Sequence, residues 1–116
     1  MEQEIKIITV ENNPARDIPG HTLCTGKEIA GELLGIDAYS LKLGKFEEGG
    51  VADEHTHAVS EHVFYILTGA LSVMADGKVY TAQAGEALYI HSGIPHAAEN
   101  AFAGTTSYVA LTIPPA

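Results

Sequence analysis

Apolar and polar residues alternate in short runs along this chain, and turn-forming residues interrupt them at close intervals. Ile5 to Val10 is rich in β-branched residues and reads as a first strand, broken off by Asn12-Asn13-Pro14 and then Pro19-Gly20. His21 to Thr25 and Ile29 to Leu34 follow. The latter has the length of a short helix, but Gly31 and Gly35 weigh toward a strand. Tyr39, Leu41 and Leu43 alternate with Ser40, Lys42 and Gly44, the period of a half-buried strand. Glu47-Glu48-Gly49-Gly50 then predicts a turn into a strand that carries histidines.

The second half is more regular. Val63 to Leu67 is an unbroken apolar run, a pattern that asks for cover on both faces. Leu71–Ala75 and Lys78–Ala82 flank Asp76-Gly77, a strong short-range signal for a tight hairpin. Ala87–Ile90, a strand entered from His96, and Ser107–Ile113 complete the set before Pro114-Pro115. Short strands at regular spacing predict an all-β fold, either a closed barrel or two stacked sheets. Without repeats or linkers, residues 1–116 read as a single domain, large enough for a core without staples.

Charge narrows the partners. The chain carries net charge −9 with only 6 Lys and Arg, so no basic face is available for nucleic acid or an anionic membrane surface. No stretch approaches the roughly 20 apolar residues of a membrane span, and MEQEIKIITVENN lacks the cationic start and apolar run of a signal peptide. One cysteine, Cys24, excludes an internal disulfide and suits a reducing compartment, so the expected location is cytoplasmic. Cys24 itself reads as a buried inert thiol.

Chemistry concentrates in the histidines. In a strand, residues i and i+2 share a face roughly 7 Å apart, so His55 and His57 can turn two imidazoles toward one cation. His62 and His96 extend that set, whereas His21 and His91 read as ordinary structural or surface histidines.

The stretch GGVADEHTHAVSEHVFYILTG, residues 49–69, resembles the first motif of the cupin family: a glycine, His-x-His, an acidic residue and a closing glycine. GEALYIHSGIPHAAEN, residues 85–100, resembles the second, with Gly85, Gly93, His96 and Asn100 at its fixed points. Residues 1–48 would then supply the N-terminal strands. The resemblance implies a cupin jelly-roll β-barrel, the double-stranded β-helix, with a metal site. Two positions depart from the pattern. His62 occupies the slot usually held by a metal-binding Glu, and Glu61 lies one residue earlier. Neighbouring residues in a strand face opposite ways, so His62 takes the inward register with Phe64 and Ile66 as pocket wall. The expected ligands are His55, His57, His62 and His96, with Glu61 as the alternative ligand or a group behind it. His91 stands where the second motif usually has Pro, at the cost of some rigidity and no ligand.

Four neutral imidazoles leave a divalent ion at +2 and favour an anionic, oxygen-donating small molecule in its open positions. All-nitrogen ligation suits one divalent transition metal per chain, Zn, Ni, Mn, Fe or Cu, over Ca or Mg. Two function classes follow. One is a metal-dependent enzyme, of dioxygenase or isomerase type, acting on an enolate, hydroxy-acid or phenolate, with Tyr39 and Glu61 as candidate catalytic groups. The other is a barrel that captures a small molecule or metal without turnover. Small cupins commonly pair, and a second copy would cover the outer face of Val63–Leu67, so a homodimer is expected.

Overall fold

Residues 5–116 are described in the computed structural model, and they form nine strands. These are β1 (Arg16–Asp17), β2 (His21–Ala30), β3 (Ser40–His55), β4 (Glu61–Thr68), β5 (Ala70–Ala75), β6 (Lys78–Gln83), β7 (Ala87–Ile90), β8 (His96–Asn100) and β9 (Thr106–Ile113). All pairings are antiparallel, in the order β6-β5-β8-β3-β9-β4-β7, with β2 along the other edge of β3 and β1 beyond it. The result is a nearly closed β-barrel, as the alternation of short apolar runs and turns predicts.

β3 serves both walls. Ser40–Phe46 pairs with β9, and Val51–His55 pairs with β8. The expected turn at Glu47–Gly50 is instead a bend within this one strand. Thr22 pairs with Val51 and Cys24 with Phe46, so residues 47–50 bulge opposite the single residue Leu23, whose φ is 54°. Such a bulge bends a strand without ending it, which carries β3 from one wall to the other.

Two further expectations fail for a related reason. Ile5–Val10 joins no sheet: Ile5 and Ile7 are 101% and 97% exposed, and Val10–Asn12 forms a 3-10 turn. Ile29–Leu34 divides, since β2 ends at Ala30 and Glu32–Leu34 is a 3-10 turn closed by Gly35 at φ 73°. β-branched residues favour a strand only where a neighbouring ladder accepts it. The Asp76-Gly77 hairpin forms as expected, with φ 52° and 72°, the left-handed pair a type I′ turn requires.

Cys24, Phe46, Ala52, Ile66, Leu71, Ala82 and Tyr108 fill the interior from both walls. Gly44 is buried beneath the Tyr108 ring, where a Cβ would lie 2.2 Å from Cζ. β4 turns Ile66 fully inward and leaves Tyr65 and Leu67 46% and 42% exposed, so the described residues of a single chain do not cover the outer face of this run.

Candidate metal centre

The histidines gather at the end of the barrel where β3 finishes and β4 and β8 begin. His55 is the last residue of β3 and pairs across to His96, the first of β8; their ring centroids are 4.3 Å apart. His57 lies beyond the strand end, so the two-residue strand spacing does not place it. The connecting loop does, setting its ring 4.8 Å from His55 and 4.3 Å from His62. Gly93, at φ +81°, holds that loop by donating its N–H to the His57 carbonyl at 2.7 Å. The glycine turn ahead of His96 thereby clamps the segment that carries His57.

Ligand nitrogens of His55, His57 and His96 all lie within 4.8 Å of one another, close enough to converge on one ion at bonds of about 2.0–2.1 Å with small adjustment. Hydrogen bonds settle which nitrogen His55 and His96 offer. Nδ1 of His55 is 2.7 Å from the Asp53 carbonyl, and Nδ1 of His96 is 2.8 Å from the Ile94 carbonyl. A carbonyl only accepts, so both Nδ1–H groups donate and both Nε2 lone pairs stay free. His62 approaches from β4. Its Nδ1 is 3.0 Å from the Thr112 hydroxyl of β9, while its buried Nε2 has no hydrogen-bond partner among the described residues. An orphaned buried nitrogen costs about 1–3 kcal/mol, and here its ring lies beside His57.

Burial dominates the electrostatics. It pushes His62 from 6.5 down to about 4, helped by the neighbouring His57, His96 and His55. His57 and His96 are also lowered, again first by burial. These imidazoles are therefore neutral lone-pair donors at pH 7. A pH dependence follows for the metal-free protein. His62 in the unfolded chain takes up its proton near 6.5, whereas in the fold it resists until about 4. Its contribution to stability is thus complete above pH 6.5 and lost as the pH falls from 6.5 through 4. Urea melts of metal-free protein should show a level midpoint above that window and a falling one within it, and a midpoint constant down to pH 4 would refute the assignment.

The remaining candidates sort clearly. Glu61 is exposed on the outer side of β4, where its carboxylate accepts a hydrogen bond from Tyr89, so it does not join the cluster as ligand or acid/base group. Tyr39 precedes β3, and the aromatic rings beside the histidines are Phe64, stacked 5.7 Å from His62, and Phe46, 6.1 Å from His21. Ile66 shares the inward register but is 0% exposed, deep in the core. His91 is exposed, with Nδ1 near the Ser92 carbonyl. Cys24 is buried 3.5 Å from the Tyr108 hydroxyl; burial raises both groups and keeps them protonated. His21, read from the sequence as an ordinary structural or surface histidine, lies at the edge of the cluster. Its ring lies 5.9 Å from His55, with Nδ1–H donated to the Pro19 carbonyl at 2.9 Å. Only the pairing of His21 with Ala52 brings it there, and no motif signals that register.

Comparison with known proteins agrees with this architecture. The profile of the Cupin domain family matches residues 42–113. Among solved structures, the polyketide cyclase RemF from Streptomyces resistomycificus superposes with a TM-score of 0.83 at 22% identity, covering 95% of this chain and 80% of that one. A predicted oxalate decarboxylase from Thermotoga maritima gives 0.81 at 20%, covering 94% and 99%. KdgF from Halomonas sp. gives 0.76 at 22%, covering 97% and 94%. At these identities the likeness is one of fold, and the barrel is a jelly roll. No curated protein matches the sequence.

Proposed function

Because this chain belongs to the cupin family, we propose that it is a metal-dependent enzyme holding one divalent transition metal on His55, His57, His62 and His96. The observation that carries this reading is the unpartnered buried Nε2 of His62 beside three histidines whose ligand nitrogens converge. Thr112, Asp53 and Ile94 fix the ring orientations from behind, the usual outer support of a metal site. A bound divalent ion would act as a Lewis acid toward an anionic oxygen donor. The protein's own part is to orient that donor against the Phe64 face and to keep the His57, His62 and His96 imidazoles unprotonated.

The substrate class is a small oxygen-rich anion: an enolate, a hydroxy-acid or a phenolate. Oxalate and polyketides, named for two of the similar structures, are both oxygen-rich, which supports this class. Dioxygenase-like and isomerase-like chemistry both use such a ligand. A non-catalytic binding barrel differs in one testable respect, since catalysis needs ligand positions open to exchange.

Elemental analysis of untagged protein, purified without a nickel column or chelator, tests the reading. It expects about one transition metal per chain, and no metal after each ion is added back would overturn it. Iron, copper, nickel or manganese would direct the next assay to oxygen uptake, and zinc to isomerisation.

The outer face of β4 supports a homodimer. Tyr65 and Leu67 lie exposed there, and on the same face Tyr89 of β7 and Ile113 of β9, cross-strand partners of Val63 and Glu61, are 58% and 49% exposed. A second copy would cover this apolar strip. Size-exclusion chromatography with light scattering should give twice 12.2 kDa, and Tyr65→Lys should shift it toward one chain. A wild-type mass of one chain at micromolar concentration would exclude the dimer. The free Cys24 fits a cytoplasmic setting.

A further inference from the structure

Cross-strand partners lie on the same face of a sheet. Lys42 of β3 pairs with Ala110 of β9, Ala110 with Phe64 of β4, and Phe64 with Leu88 of β7. Ala110, Phe64 and Leu88 pack against the core, so the row, with Lys42 in it, belongs to the inner face. The adjacent row toward the histidine end is Ser40, Thr112, His62 and Ile90. Lys42 therefore stands about 7 Å along its strand from the row that carries His62. Its row-mate Phe64 stacks on the His62 ring.

Unlike its row-mates, Lys42 is exposed, and no ion pair engages it among the described residues. The carboxylate opposite, Glu28, is turned to the Glu32–Leu34 turn, where Oε2 accepts the Leu33 N–H at 2.8 Å. Lys27 and Lys45 alternate onto the other face, pairing with Leu43 and Ser107. A chain of net charge −9 repels anions at long range, so an anionic ligand needs local positive charge to enter. A metal ion at the histidine cluster would supply it for one anionic head, and a second head needs a cation of its own.

We infer that Lys42 binds the second anionic group of a two-headed ligand whose other head sits at the histidine cluster. This rests on the proposed metal site and narrows its substrate class to small dicarboxylates and hydroxy-diacids. The ammonium acts as a hydrated point charge on a four-carbon stem, suited to one carboxylate.

Titration calorimetry on the metal-loaded protein with two probes tests this. Malate carries the α-hydroxycarboxylate head of glycolate plus a second carboxylate. Wild-type protein should bind malate more tightly than glycolate. In Lys42→Met, malate binding should weaken by at least about tenfold while glycolate binding and metal content stay unchanged, and Lys42→Arg should keep most of the preference. Unchanged malate affinity in Lys42→Met, with wild type binding both probes, would overturn the role of Lys42 alone. A loaded wild-type protein that binds neither probe would overturn the oxygen-anion reading of the site and this inference with it.

Discussion

His62→Ala should empty the metal site, and Glu61→Ala should leave it filled. The two residues are neighbours in β4, but the strand turns them to opposite sides, His62 buried against His57 and Glu61 exposed beside Tyr89. Removing His62 deletes a donor nitrogen that has no other partner among the described residues, so affinity should fall by more than the 10–100-fold typical of losing an outer support. Thr112→Val is that outer case. It keeps the shape and removes the hydroxyl beside Nδ1, so its loss should fall within about 10–100-fold. His91→Ala should have no effect. Competition with a chromophoric chelator gives the affinities, and melting curves confirm that each variant is folded. The reverse pattern, metal lost with Glu61→Ala and kept with His62→Ala, would return the chain to a three-histidine, one-carboxylate site.

Gly44→Ala should destabilise the barrel strongly for a change of one methyl group. The added Cβ would lie 2.2, 2.4 and 2.5 Å from Cζ, Cε2 and Oη of Tyr108, far inside contact distance. The ring has nowhere to retreat: it is 3% exposed and lies 5.6 Å from Phe46 and 5.5 Å from Phe64. Overpacking of this kind costs about 1–3 kcal/mol. For a domain of this size the upper value corresponds to a melting temperature lower by roughly 12 °C. Tyr108→Leu in the same chain should recover part of that loss, because it removes the ring that the methyl strikes. A melting temperature unchanged by Gly44→Ala alone would mean that Tyr108 does not pack on β3 as described.

Much of the architecture is legible in the sequence because local chemistry and tertiary context agree. Asp76-Gly77 forms its hairpin, and the glycine spacings around His55, His57 and His96 bring three imidazoles together. The inward register of His62 follows from counting back two residues at a time from Ile66 through Phe64, all of which turn inward in β4. What the sequence withholds depends on partners far along the chain. Glu47–Gly50 looks like a turn, and only the single residue opposite, Leu23, makes it a bulge. Ile5–Val10 looks like a strand but finds no ladder. His21 and Lys42 gain their positions from pairing with Ala52 and Ala110, a register that composition and period do not encode.

β9 lies between β3 and β4, and through Thr112 it touches the ring of His62. This order has a consequence for how the molecule is made. During synthesis every histidine of the cluster emerges before the strand that joins β4 to β3. A nascent chain can therefore bring His55 and His96 together through β3 and β8 but has no ladder to hold His62 beside them, and it presents the unpaired edges of β3 and β4. Closing this gap joins segments some 70 residues apart, a slow step in folding. Pairing of Thr106–Ile113 with both strands is thus the event that adds His62 to the cluster. A chain cut short before it would be a species with open sheet edges, prone to pair with its own kind.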